Sequence, residues 1–107
     1  GKSQFEQMKP NAIFINTARG GLVDPDALLW AVRERKIAGA GLDVFETEPI
    51  PEGHPLLNEP SVIITPHIAS ASKNTRARMA LMAVENIIAA IEGKRIPYCA
   101  NPEVYGP

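Results

Sequence analysis

Apolar positions in this chain fall into short unbroken runs that alternate with stretches of helical spacing, a pattern that predicts strands and helices in turn. Ile13, Phe14 and Ile15 are consecutive within AIFINTA, as expected of a strand covered on both faces rather than one with a wet side. IAGAGLDVF reads as a second buried strand, its Gly39, Ala40 and Gly41 small enough for a helix to pack closely on it, and SVIITP reads as a third. Between the first two lies DPDALLWAVRERK, where Asp24 is placed to cap a helix, Pro25 takes its first position, and Leu28, Leu29, Trp30 and Val32 supply apolar faces. Arg33, Arg35 and Lys36 then complement the negative end of that helix. A long helix is predicted from the N-cap Ser72 to about Gly93, with Met79, Met82, Val84, Ile87, Ile88 and Ile91 in a broad stripe. The opening GKSQFEQMKP, with Phe5 and Met8 on one face and Pro10 forbidding continuation, reads as the last turns of a helix that begins further upstream. The tail KRIPYCANPEVYGP, with three prolines, reads as extended.

Strand, helix, strand, loop, strand, helix is an α/β order, and buried strands joined this way run parallel through right-handed crossovers. The expected architecture is the C-terminal half of a doubly wound (Rossmann-type) parallel sheet, three strands with flanking helices.

Composition narrows the classes of function more than it names one. The chain has 107 residues, room for one small core, and 45% of them are apolar. Eleven basic residues against twelve acidic ones leave a net charge of -1, so no basic field exists to attract nucleic acid. Cys99 is the single cysteine, which precludes an internal disulfide, leaves no Cys/His cluster for a structural metal, and fits a reducing, cytoplasmic setting. No apolar run approaches the roughly 18 to 20 residues of a membrane-spanning helix, and no charged leader with an apolar segment opens the chain.

The candidate chemistry gathers where such a sheet binds its ligands, beyond the carboxyl ends of the strands: Arg19, Asp43, Glu48 and His67 all fall there. A guanidinium emerging just after a strand can hold a carboxylate with two parallel hydrogen bonds, which Lys cannot reproduce, and the adjacent Gly20 and Gly21 allow close backbone approach to a ligand or a turn with positive φ. Asp43 can cap a turn or accept a hydrogen bond from a ligand amide. Glu48 and His67 form an acid/base pair if their loops converge, because a carboxylate beside an imidazole stabilises the protonated ring that a general acid needs. Each also has a plain structural reading: a solvated surface charge for Arg19 and Glu48, a hydrogen-bonded strand-end residue for His67. His54, in a Pro-rich loop with no evident partner, reads as structural.

Four blocks in order, MKPNAIFINTARGGLVD, AGAGLDVFETEP, HPLL and VIITPHIASAS, resemble the D-isomer-specific 2-hydroxyacid dehydrogenases, especially their glyoxylate/hydroxypyruvate reductase branch. The resemblance covers nearly the whole chain. It implies that Arg19 binds a substrate carboxylate and polarises its keto oxygen, that His67 donates the proton, and that Glu48 orients and charges the histidine. Asp43 would hold the nicotinamide carboxamide, with Asn16, Thr17 and Ala18 along the nicotinamide side of an NAD or NADP cofactor. The partners implied are a small 2-keto or 2-hydroxy acid and, for the intact parent, a second copy in a homodimer. Residues 1–93 would be the C-terminal part of the dinucleotide-binding domain, and 94–107 a tail returning to the substrate domain. The family's GxGxxG turn is not in this sequence, since RGG and GAG have the wrong spacing, so the chain reads as a C-terminal piece without useful activity of its own. Two other readings stay open: a non-catalytic nucleotide-sensing relative of the same fold, and a formate dehydrogenase-like enzyme, whose pattern carries Gln where Glu48 stands.

Overall fold

The computed structural model describes residues 1–106, which divide into two compact units, Gly1–Ala69 and the stretch from Ser70 onward.

In the first unit, helix α1 (Lys2–Glu6), strand β1 (Ile13–Asn16), helix α2 (Pro25–Arg33), strand β2 (Gly39–Leu42) and strand β3 (Val62–Ile64) follow one another. The strands form one parallel sheet in the order β1-β2-β3, with Ile15 opposite Gly41 and Gly41 opposite Ile63. Asp24 caps α2 as expected, its Oδ1 accepting from the amides of Asp26 (3.0 Å) and Ala27 (3.1 Å), and Pro25 follows at the first position. One face of the helix carries Ala27, Leu28, Ala31 and Val32 into the core, where they meet Phe5, Ile37, Ala40, Leu42 and Leu56. Leu28 is fully buried, and shielding a side chain of that size from water contributes about 2 kcal/mol. Phe5 meets Phe14 edge-on at 5.4 Å, and Lys2 Nζ lies 4.1 Å from the centre of the Trp30 ring, so α1 is tied to both β1 and α2.

Only one face of this sheet is covered by the unit itself. Phe14, Ala40, Leu42, Val62 and Ile64 pack on the helical side, whereas Ile13, Ile15 and Ile63 on the other remain 65–72% exposed. The expectation of a first strand covered on both faces is therefore corrected. Of the small residues of β2, Ala40 packs in the core with Ala27, Leu28, Ala31 and Val32 of α2, as expected. Gly39 serves a different purpose, since a side chain there would strike the Ser61 carbonyl oxygen, and one at Gly41 would make only ordinary contact with Ile15.

The second unit is dominated by helix α3 (Lys73–Ile91), with Ser72 Oγ accepting from the Thr75 amide (3.1 Å) at its N-terminus. The tail expected to be extended folds back along this helix. Asn86 bonds both backbone groups of Tyr98, donating from Nδ2 to the carbonyl and accepting from the amide, and a hydrogen bond from Tyr98 to Glu85 pushes the phenol above its ordinary value. A single 3-10 turn, Pro102–Tyr105, follows. No helix among the described residues is long and apolar enough to cross a membrane.

Candidate active site

The carboxyl ends of the three strands are laced together one residue beyond the sheet. Asp43 N donates to Asn16 O (2.9 Å), Thr65 N to Leu42 O (2.9 Å), and His67 N to Asp43 O (2.9 Å), so the loop after each strand starts in register with its neighbour. Every candidate residue sits on one of these loops except Asn16, which closes β1.

After β1, the buried Asn16 side chain braces its own turn: Nδ2 donates to Arg19 O (2.9 Å) and Oδ1 accepts from Ala18 N (3.1 Å). Thr17, Ala18 and Arg19 are thereby held out to solvent, with the Arg19 guanidinium folded onto the Ala18 carbonyl (2.6 Å). The role expected of Gly20 is corrected in its physical basis. Its φ is not positive, and the backbone packed against it belongs to Phe45 and Glu46. This contact brings the Arg19 loop against the Glu48 loop.

After β2, Asp43 is 4% exposed and its carboxylate is already engaged. Oδ1 accepts from Thr65 Oγ1 (2.6 Å) and Ile68 N (2.9 Å), and Oδ2 accepts from Ala69 N (2.8 Å). These bonds, the one from Thr65 foremost, hold its carboxyl below the ordinary carboxylate value. A carboxylate offers about four acceptor positions, so Oδ2 keeps one free.

Glu48 and His67 do converge. His67 Nδ1 lies 2.7 Å from Glu48 Oε2, and Glu48 Oε1 accepts from Phe45 N at 3.0 Å. The hydrogen bond from His67, then that from Phe45, lower the Glu48 carboxyl below its ordinary value, and the Arg19 guanidinium is near enough to add a smaller pull in the same direction. With Glu48 ionised, its partner nitrogen Nδ1 carries the hydrogen, and Nε2 is the ring atom left for a ligand. His67 itself adopts a left-handed backbone, φ 53°, uncommon outside glycine although histidine tolerates it better than most residues.

The pair borders a cleft of about 440 Å³ with Asp43, Phe45, Ile50, Ile64 and Thr65 in its lining. Arg19, Asn16, Thr17 and Ala18 do not line it; they stand on the neighbouring loop, linked to the Glu48 loop through Gly20. His54 plays the structural part expected of it, though with partners the sequence did not reveal: its Nδ1 accepts from Leu56 N (3.2 Å), and its ring meets Phe45 edge-on at 6.3 Å. Its role is to pin the long loop. Thr65 was not singled out from the sequence. The signal for it was positional, because the β2/β3 register that pairs Leu42 with Ile64 sets Thr65 beside Asp43.

A parallel sheet with an imidazole, a carboxylate and a guanidinium on successive strand-end loops defines an α/β unit of the dinucleotide-binding class. Residues 1–69 match the family described as D-isomer specific 2-hydroxyacid dehydrogenase, NAD binding domain, and the chain belongs to that family. It is 51% identical over 106 residues to glyoxylate/hydroxypyruvate reductase B of Citrobacter koseri, a match covering 99% of this chain and 33% of that protein. Among solved structures, a D-isomer specific 2-hydroxyacid dehydrogenase from Xanthobacter autotrophicus Py2, in complex with NADPH and MES, superposes with a TM-score of 0.81 at 39% identity, covering 97% of this chain and 42% of the other. D-lactate dehydrogenase with NAD+ from Lactobacillus jensenii gives 0.72 at 35% identity, covering 94% and 34%. The chain spans about a third of the length of the curated relatives it matches.

Proposed function

We propose that this chain carries the proton-donating side of a reductase that converts small 2-keto acids of the glyoxylate/hydroxypyruvate kind to D-2-hydroxy acids with NADH or NADPH. The observation that supports it best is the Glu48–His67 pair, 2.7 Å apart beside a cleft at the carboxyl ends of parallel strands, with a guanidinium on the adjoining loop.

The residues present fit the nicotinamide end of such a cofactor. Asp43 keeps one free acceptor position for a carboxamide at a cleft whose walls include Ile50 and Ile64, and Asn16, Thr17 and Ala18 stand on the next loop. When bound, the cofactor supplies the hydride. The chain's own residues do the rest. Arg19 unfolds from the Ala18 carbonyl to take the substrate carboxylate in its fork of donors and to draw charge toward the keto oxygen. His67 gives the proton from Nε2 to that oxygen as it becomes a hydroxyl. Glu48, ionised and bonded to Nδ1, holds the ring in plane and steadies its positive charge before transfer.

No GxGxxG turn is present in the sequence to seat the pyrophosphate on a helix N-terminus, so the 107-residue chain alone is expected to show no useful turnover. A polypeptide of the relatives' full length is proposed to be the active form, a cytoplasmic homodimer in which the tail from residue 94 reaches a substrate domain. The test is oxidation of NADH or NADPH by that full-length protein in the presence of glyoxylate or hydroxypyruvate. His67→Ala should lower turnover by about 10² to 10⁴ while leaving cofactor affinity within a few fold. Equal losses of both would remove the proton-donor role.

A further inference from the structure

Most of the hydrogen bonds that fix the turn presenting His67 run to one buried residue, Asp43, whose carboxylate is in turn bonded by Thr65. Four bonds run from the 65–69 turn to Asp43: from Thr65 Oγ1, Ile68 N and Ala69 N to its carboxylate, and from His67 N to its carbonyl. The bond from Thr65 is the shortest of them at 2.6 Å, as expected where a hydroxyl donates to an ionised acceptor. We infer that Thr65 is a positioning residue: through Asp43 it fixes the turn in the conformation that brings the His67 ring to Glu48. This role takes its functional meaning from the proton-donor reading above.

The left-handed backbone of His67 is why such a device is needed. For a residue with a Cβ that conformation costs about 1–2 kcal/mol and persists only where surrounding bonds over-determine it. Thr65 Oγ1 and Ile68 N share the same oxygen, Oδ1, so the hydroxyl sets the rotation of the carboxylate and thereby the alignment of the Ile68 and Ala69 amides. Without the hydroxyl, Asp43 can turn, those amides lose their acceptors, and His67 is free to relax to negative φ. Such a change swings the imidazole away from a partner it reaches only through 2.7 Å at Nδ1.

The alternative is that Thr65 merely satisfies a buried carboxylate with no effect on the histidine, and the Glu48 carboxyl distinguishes the two. Its titration in the 107-residue chain can be followed by carbon-detected NMR, with amide exchange of Ile68 and Ala69 recorded alongside. Glu48 is expected to titrate below 4.5 in the unaltered chain and to rise toward that value in His67→Ala. Thr65→Val should produce most of the same rise and speed exchange of both amides by about tenfold or more. Thr65→Ser, which keeps the hydroxyl, should do neither. The inference is overturned if Thr65→Val leaves Glu48 low and the amides slow, or if Thr65→Ser disturbs them as much as valine does. Should Thr65→Val unfold the sheet, read from the amides of Ile13–Asn16, Thr65→Ala takes its place under the same expectations. An inactive full-length His67 enzyme or an active one leaves this result untouched, so failure of the positioning role and failure of the reductase reading are separable.

Discussion

Gly20 lies so close to the backbone of Phe45 that no side chain fits between them, and this contact joins the loop bearing Arg19 to the loop bearing Glu48. Any added Cβ would overlap the Phe45 carbonyl group and the Glu46 amide, neither of which can move without dragging its loop. Gly20→Ala is therefore expected to destabilise the chain by about 1–3 kcal/mol and to disturb the Glu48–His67 pairing as well. Gly21→Ala is the control, since nothing lies within 4 Å of that position. Thermal denaturation of the two variants should separate them clearly; equal melting temperatures would mean the loops are not joined through Gly20.

Acid should weaken the site in a definite direction. Asp43 and Glu48 both have folded-state carboxyls held below their ordinary values of 3.8 and 4.5, by Thr65 and His67 respectively. In that window the unfolded chain binds more protons than the folded one, so stability rises with pH. Their contribution is complete above about pH 4.5 and disappears as the pH falls through the lowered values. Denaturant midpoints measured from pH 6 down to 3 should fall for the unaltered chain, and fall less steeply for Asp43→Asn and for Glu48→Gln. A variant that keeps the full slope would show that its carboxyl has no folded-state partner.

Arg35 occupies, at the end of α2, a position where glycine is the usual choice. Its φ is 52°, while Arg35 N and Lys36 N turn back to the carbonyls of Val32 (3.1 Å) and Ala31 (2.8 Å) to close the helix. Arg35, whose charge lies beside the negative end of α2, thus also takes on a strained backbone conformation. Arg35→Gly should relieve that strain, offset in part by the greater freedom of glycine in the unfolded chain, for a net gain of about 0.5–1 kcal/mol. The expected rise in melting temperature is a few degrees, and a fall would show that the arginine side chain contributes more than its backbone costs.

The strand-end placement of Arg19, Asp43, Glu48 and His67 was legible because in a parallel sheet connectivity alone sends every loop after a strand to the same edge. Helix starts were legible for a local reason: Asp24-Pro25 and Ser72 satisfy amides two or three residues away. Burial was not. Ile13-Phe14-Ile15 declares that both faces of β1 could be covered, but an apolar run carries no information about whether a second layer is present to cover them. The role of Thr65 and the backbone that Gly20 accommodates were not legible, because each acts on a residue more than 20 positions away, and such partners appear only once register and loop packing are known.

That half-covered sheet leads to the last expectation. Ile13, Ile15 and Ile63 lie on one face at 65–72% exposure, and among the described strands β1 pairs only with β2, leaving an apolar surface that continues to an open edge. Such surfaces recruit partners, and in the 107-residue chain studied alone the available partner is another copy. Self-association should therefore grow with concentration in sedimentation experiments. Ile15→Lys places a charge on the exposed face without touching the helical side of the core, so it should shift the population toward monomer while the melting temperature changes little. A chain that stays monomeric at every concentration tested, or an Ile15→Lys variant that associates as strongly as its parent, would show that this face is not where copies meet.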